Sequence, residues 1–148
     1  MAEALKRIAA AQAPFVARGD DSGTHKKELD LWKAAQVAPA GAWNLATGQG
    51  MGESTRIADQ KQAYLLIDRG TYLALRKTIS LVPVVEGAKE LFNPYGVIVV
   101  NPAKHPRTRF AEAKRFAEWL VSEEGQALIA AFGKDRFGSP LFFPDARK

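Results

Sequence analysis

The sequence predicts an α/β fold, with helices packed on a mainly parallel sheet. Three observations carry that expectation. Short apolar runs at 14–17, 63–67, 81–85 and 97–100 have strand length and lack polar alternation, the pattern of strands covered on both faces. Segments with apolar residues at helical spacing separate the first of these runs, joined by short links. Glycine-bearing turns at 19–23 and 47–52 stand where strand gives way to helix.

Taken in order, residues 2–12 read as an amphipathic helix with Ala4, Leu5, Ile8 and Ala9 on one side. A strand at 14–17 runs into the turn Arg18-Gly19-Asp20-Asp21, and Ser22 then caps a helix to Gln36 whose apolar positions are Leu29, Trp32 and Ala35. Pro39, Ala40 and Gly41 mark a loop before a short strand at 42–45. The glycine-rich stretch 47–54 leads into a helix over 51–60; its spacing matches neither the P-loop nor the dinucleotide fingerprint, so no nucleotide is expected. The run 63–67 is a strand, Asp68 to Lys77 a helix, and 81–85 a further buried strand. A turn at 92–96 precedes another buried strand at 97–100. Phe110, Ala113, Ala117, Leu120 and Val121 form a helical stripe, Ser122 caps a second helix, and the tail 137–144, broken by glycine and proline, is expected to lie extended.

With 47% apolar and 25% charged residues the chain has the composition of a globular protein rather than a disordered one. The absence of cysteine excludes disulfides and thiolate metal sites. Residues 1–13 lack the apolar region of a signal peptide. The net charge of +5 is modest. The basic cluster Lys104, Arg107, Arg109, Lys114 and Arg115 is interleaved with Glu112 and Glu118, so it reads as a solvated face and no nucleic-acid partner is expected.

The chemistry concentrates in the first turn. A helix N-terminus carries roughly half a positive charge and binds anions, and Gly23 and Thr24 add no bulk that would keep a ligand from its N–H groups. Arg18 at the strand's carboxyl end can aim a planar fork of donors at the same point, and the hydroxyls of Ser22 and Thr24 can donate as well. Ordinary capping, with Arg18 paired to Asp20 or Asp21, is the competing reading. Gly50 and Met51, at the start of the next helix, are candidates for a second wall. Asp20, Ser22 and His25 lie close in sequence, yet nothing supplies a strained nucleophile elbow. No enzyme, cofactor or protein-bound metal is expected.

Six separated runs, RGDDSGTHKKELDLWKAA, ATGQGMGESTRIADQKQAY, LIDRGTYLALRK, LFNPYGVIVVNPAKHP, FAEWLVSEEGQALIAAFG and PLFFPDA, occur in the order in which the tungstate-binding receptors of ABC uptake systems carry them. The chain resembles that family from about residue 3 to residue 146. The resemblance implies a type II periplasmic-binding lobe, with 1–13 a connecting helix, 14–94 the second lobe, and 95–148 a hinge crossover and helices of a first lobe whose remainder is absent. It also implies a periplasmic or extracytoplasmic location. Tungstate or molybdate would be the ligand, held by Arg18, Ser22, Gly23, Thr24, Gly50 and Met51. A membrane permease would be the partner, and an exposed first-lobe face would favour a homo-oligomer. Ala17, Asn44, Ala46, Leu65 and Ile67 depart from the family pattern and bear on ion selectivity.

Overall fold

The computed structural model describes residues 1–146; the last two residues of the segment expected to belong to a first lobe, 147 and 148, lie outside the described residues. The chain divides into two compact units, Met1–Phe92 and Asn93–Lys148.

The first unit is built on a parallel sheet of order β2-β1-β3, with β1 Phe15–Ala17, β2 Asn44–Ala46 and β3 Tyr64–Leu65. Phe15 is in register with Asn44 on one side and Tyr64 on the other, so β1 is the central strand. Successive side chains of a strand point to opposite faces, and β1 shows this directly. Phe15 and Ala17 pack with Leu5 of α1 (Ala2–Ala10) and Leu31, Trp32 and Ala35 of α2 (Gly23–Ala34) and its C-cap. Val16 packs on the other face with Ala58 of α3 (Met51–Lys61) and with Ala63. Both faces are covered, which is why the strand is apolar throughout. Trp32 is the central bulk of the first layer, with Phe15 and Trp43 set edge-on to it at 5.1 and 5.8 Å.

Three expectations for this unit are corrected. The helix after Ser22 ends at Ala34, and its buried stripe is Glu28, Leu31, Trp32 and Ala35, while Leu29 is 47% exposed. The run 81–85 is not a strand: only Leu81 packs on the core, and Val82 and Val84 are 71% and 69% exposed. Pro83 removes a ladder donor in the middle of the run. Just before it, Asp59 accepts from the Ser80 amide and hydroxyl at 2.7 and 2.8 Å, fastening the segment to the end of α3; these bonds lower the Asp59 pKa. Helix α4, Arg69–Leu75, starts as expected at Asp68, whose carboxylate accepts from the Thr71 amide at 2.8 Å, but it stops two residues short of Lys77.

The second unit contains α5 (Phe110–Leu120), α6 (Glu123–Ala131) and α7 (Lys134–Phe137). Ser122 caps α6, accepting from the Gly125 amide at 3.2 Å. Gly125 is required here: a Cβ would fall 2.2 Å from the Trp119 carbonyl, so the start of α6 lies directly on the end of α5. The expected buried strand at 97–100 does not form, and Ile98 is 91% exposed. A strand is stable only with a neighbour to hydrogen-bond, and among the described residues this unit offers helices and turns alone. The tail is less extended than expected, since Phe137 closes α7 before Gly138 turns the chain.

Candidate functional site

The carboxyl ends of β1 and β2 lie side by side, and each leads through a glycine-bearing turn into a helix. Two helix N-termini, those of α2 and α3, therefore open at one end of the sheet, where α/β folds hold ligands. The turns are fastened to each other. The Thr47 amide donates to the Ala17 carbonyl at 3.0 Å and the Gly48 amide to the Arg18 carbonyl at 2.8 Å, extending the ladder past both strands. Gly19 has φ +64° and a Cβ there would meet the Ala46 Cβ at 3.0 Å, so this close approach needs glycine. Asp21, at φ +57°, completes the reversal that brings Ser22 to the helix start.

Arg18 is the cation of this site and is 9% exposed. Its Nε donates to the Gln49 carbonyl at 3.0 Å and its Nη2 pairs with the Asp20 carboxylate. Asp20 also accepts from the Ser22 hydroxyl at 2.7 Å and from the Ser22 amide at 3.3 Å. The Ser22 hydroxyl in this arc holds the Asp20 carboxyl down to about 2, with Arg18 adding to the effect and partial burial opposing it. The capping partnership weighed from the sequence is thus present. It ties Arg18 to Ser22 through one carboxylate and leaves the remaining N–H groups of Nη1 and Nη2.

At α2, the first four helix amides have no partner within the helix. Ser22 N–H is taken by Asp20, and His25 N–H donates to the Ser22 hydroxyl oxygen at 3.3 Å. The Gly23 and Thr24 amides remain. At α3 no side chain caps the N-terminus, which begins at Gly50 and Met51. A Cβ on Gly23, Gly50 or Gly52 would meet nothing within 4 Å, so both helix ends face open space. The structure brings Arg18, Ser22, Gly23 and Thr24 together on one turn and places Gln49, next to Gly50 and Met51, against the guanidinium.

Three contributors were not anticipated. Thr47 and Ser54 share a hydrogen bond of 2.8 Å, and the Ser54 hydroxyl also donates to the Gln49 carbonyl at 3.2 Å, which fixes the carbonyl that holds Arg18. Glu28 is 3% exposed, on the inner face of α2, and its Oε2 accepts from the Arg18 backbone N–H at 3.4 Å. Burial pushes its pKa from 4.5 up to about 7; the Arg18 N–H, the nearby Trp32 indole and the Arg18 charge pull it down, and Asp20 pushes it further up. The Trp32 indole nitrogen is buried and meets no acceptor at hydrogen-bonding geometry, so it acts on Glu28 by proximity alone. The sequence does contain the signal for Glu28, which lies three, four and seven residues before Leu31, Trp32 and Ala35 on one helical stripe.

The arrangement argues against acyl-transfer chemistry. His25 Nδ1 accepts from the Asp21 amide at 3.0 Å while the Ser22 hydroxyl donates to Asp20, so imidazole and hydroxyl do not form a nucleophile–base pair. What remains is a buried guanidinium, the Gly23 and Thr24 amides at the Ser22-capped start of α2 and the uncapped N-terminus of α3, a set of donors for an anion.

Residues 1–124 match the model of a PBP superfamily domain. The chain belongs to the PBP superfamily. The tungstate-binding protein TupA of Peptoclostridium acidaminophilum is 48% identical over 145 residues, covering 98% of this chain and 51% of that protein. A putative ABC transporter anion-binding protein of Haloferax volcanii is 49% identical over 150 residues, covering 98% and 43%. Among solved structures, the tungstate ABC transporter protein of Geobacter sulfurreducens superposes with a TM-score of 0.80 at 45% identity, over 88% of this chain and 56% of that one. The chain spans about half the length of the curated relatives it matches. Among the described residues no helix is long and apolar enough to cross a membrane.

Proposed function

We propose that this chain recognises a tetrahedral oxyanion, tungstate first and molybdate second, as part of the extracytoplasmic substrate-binding component of an ABC importer. The observation that carries the reading is the buried Arg18 guanidinium set between the open N-termini of α2 and α3. The names of the similar proteins in Peptoclostridium and Geobacter support the choice of ion and of transport system. Arg18 supplies charge-assisted hydrogen bonds, Gly23 and Thr24 amide and hydroxyl donors, and Ser22 the cap that fixes them; Gly50 and Met51 supply the facing amides. Neutral amides and one guanidinium hold a dianion without bond making or proton transfer to the anion, so the protein acts as a receptor rather than an enzyme. The lobe boundaries at 14–94 and 95–148, the transporter's membrane permease as partner and the extracytoplasmic location belong to the same reading. Association of copies through the exposed apolar residues 97–100 belongs to it as well, and light scattering of the purified chain tests that part.

One observation favours phosphate as a second ligand. Protonated phosphate needs an acceptor, and the Asp20 carboxylate stands beside Arg18. Titrating the chain with tungstate, molybdate, phosphate and sulfate at equal ionic strength separates the readings: tungstate binding with no phosphate response supports the first, and the reverse order supports the second.

A further inference from the structure

We propose that Glu28 couples oxyanion capture to the uptake of a proton. The proposal rests on the reading above, that the anion is held at Arg18 and the N-terminus of α2.

Glu28 lies on the same helix whose N-terminus faces the anion site, and its carboxylate meets the backbone of the residue that carries the guanidinium. Its own bonding is thin for a buried acid. Among the described residues one contact meets hydrogen-bond geometry, the 3.4 Å bond from the Arg18 amide, and the Arg18 guanidinium is directed to Asp20 and the Gln49 carbonyl instead. The groups that face it are few. From β1 and its following turn come the Arg18 charge and Asp20, and from α2 itself the Trp32 indole; His25, one turn earlier in the sequence of α2, has its Nδ1 engaged by the Asp21 amide. α1 presents Leu5 and Ile8 to this layer and the β2 approach presents Trp43, none of them charged.

A buried carboxylate without a dedicated cation is costly to ionise, and burial pushes the Glu28 pKa up to about 7. A dianion arriving at Arg18 adds negative charge and engages the guanidinium that partly offsets the Glu28 charge. Like charges disfavour ionisation, so the loaded protein holds Glu28 as the neutral acid. By reciprocity, protonation of Glu28 tightens anion binding. No bond other than O–H forms: one proton moves from buffer to the Glu28 carboxylate for each ionised Glu28 that is neutralised.

Calorimetric titration of sodium tungstate into the 148-residue chain, at one pH in buffers of different ionisation heat, reads the proton directly. The expected result near pH 7.5 is a buffer-dependent heat corresponding to uptake of a fraction of a proton, shrinking toward zero by about pH 6, with affinity falling by up to about tenfold between pH 6 and 8. Glu28→Gln should bind with buffer-independent heat and hold the affinity of the acid limb at both pH values. Identical heats in all buffers with the unmodified chain overturn the proposal without needing a variant. Buffer dependence that survives in Glu28→Gln and vanishes in His25→Gln overturns it by assigning the proton elsewhere. The absence of any binding heat, for tungstate or molybdate in any buffer, overturns the receptor reading and this proposal with it.

Discussion

Replacing Glu28 by glutamine keeps the shape of the side chain and removes its titration, so stability should change with pH in a calculable way. The folded chain holds Glu28 at about 7 where the unfolded chain holds it near its ordinary 4.5. Between those values the native state binds more protons than the unfolded state, so stability falls as pH rises through that window and the deficit persists above it. At about 1.4 kcal/mol per pH unit, full burial of the group makes the loss about 3 kcal/mol between pH 4.5 and about 7. Urea unfolding of the unmodified chain and of Glu28→Gln at pH 5 and pH 8 measures it, and other titrating groups cancel in the comparison. The unmodified chain should lose stability by about this amount relative to the variant as pH rises. Parallel pH profiles would refute the argument that Glu28 is buried without a compensating cation.

Other substitutions test the turn and the packing. Ser22→Ala removes the cap that accepts from His25 and should cost about 1 kcal/mol in urea unfolding. Gly19→Ala forces a left-handed backbone and meets Ala46, so it should destabilise by about 1–2 kcal/mol, with loss of anion response where the turn shifts. Gly125→Ala drives a Cβ into the Trp119 carbonyl and should cost about 1–3 kcal/mol by thermal or urea unfolding. Arg18→Lys keeps the charge while losing the fork that reaches both Asp20 and the Gln49 carbonyl; oxyanion affinity, read by calorimetry, should weaken by about 1.5–3 kcal/mol.

Much of the first unit was legible in the sequence because local and long-range signals agree there. The apolar run at Phe15–Ala17, the caps at Ser22 and Asp68 and the glycines before Met51 each mark an element that the structure contains. Arg18 and its turn were placed from the strand-to-helix pattern alone. The runs 81–85 and 97–100 were misread because apolar, β-branched composition reports a preference for extended backbone but says nothing about whether a hydrogen-bonding neighbour exists. At 81–85 the proline and the Asp59–Ser80 bonds decide the outcome, and the second of these joins residues 21 positions apart. Glu28 was missed for a different reason. A charged residue on a helical stripe is normally read as solvent-facing, and only the packing of Trp32 and Leu31 against β1 shows that this one points inward. The Thr47–Ser54–Gln49 linkage is local to one turn, but its contact with Arg18 joins residues 31 positions apart and depends on two loops meeting across the strand ends.

The central claim is that one buried arginine and the N-termini of α2 and α3 bind a tetrahedral oxyanion, and thermal unfolding with and without tungstate tests it most directly. With tungstate at about 100 times its dissociation constant, native-state stabilisation of about 2.7 kcal/mol should raise the midpoint by several degrees, with sulfate at equal ionic strength leaving it unmoved. A clean unfolding transition at the same temperature in tungstate, sulfate and buffer alone would contradict the claim.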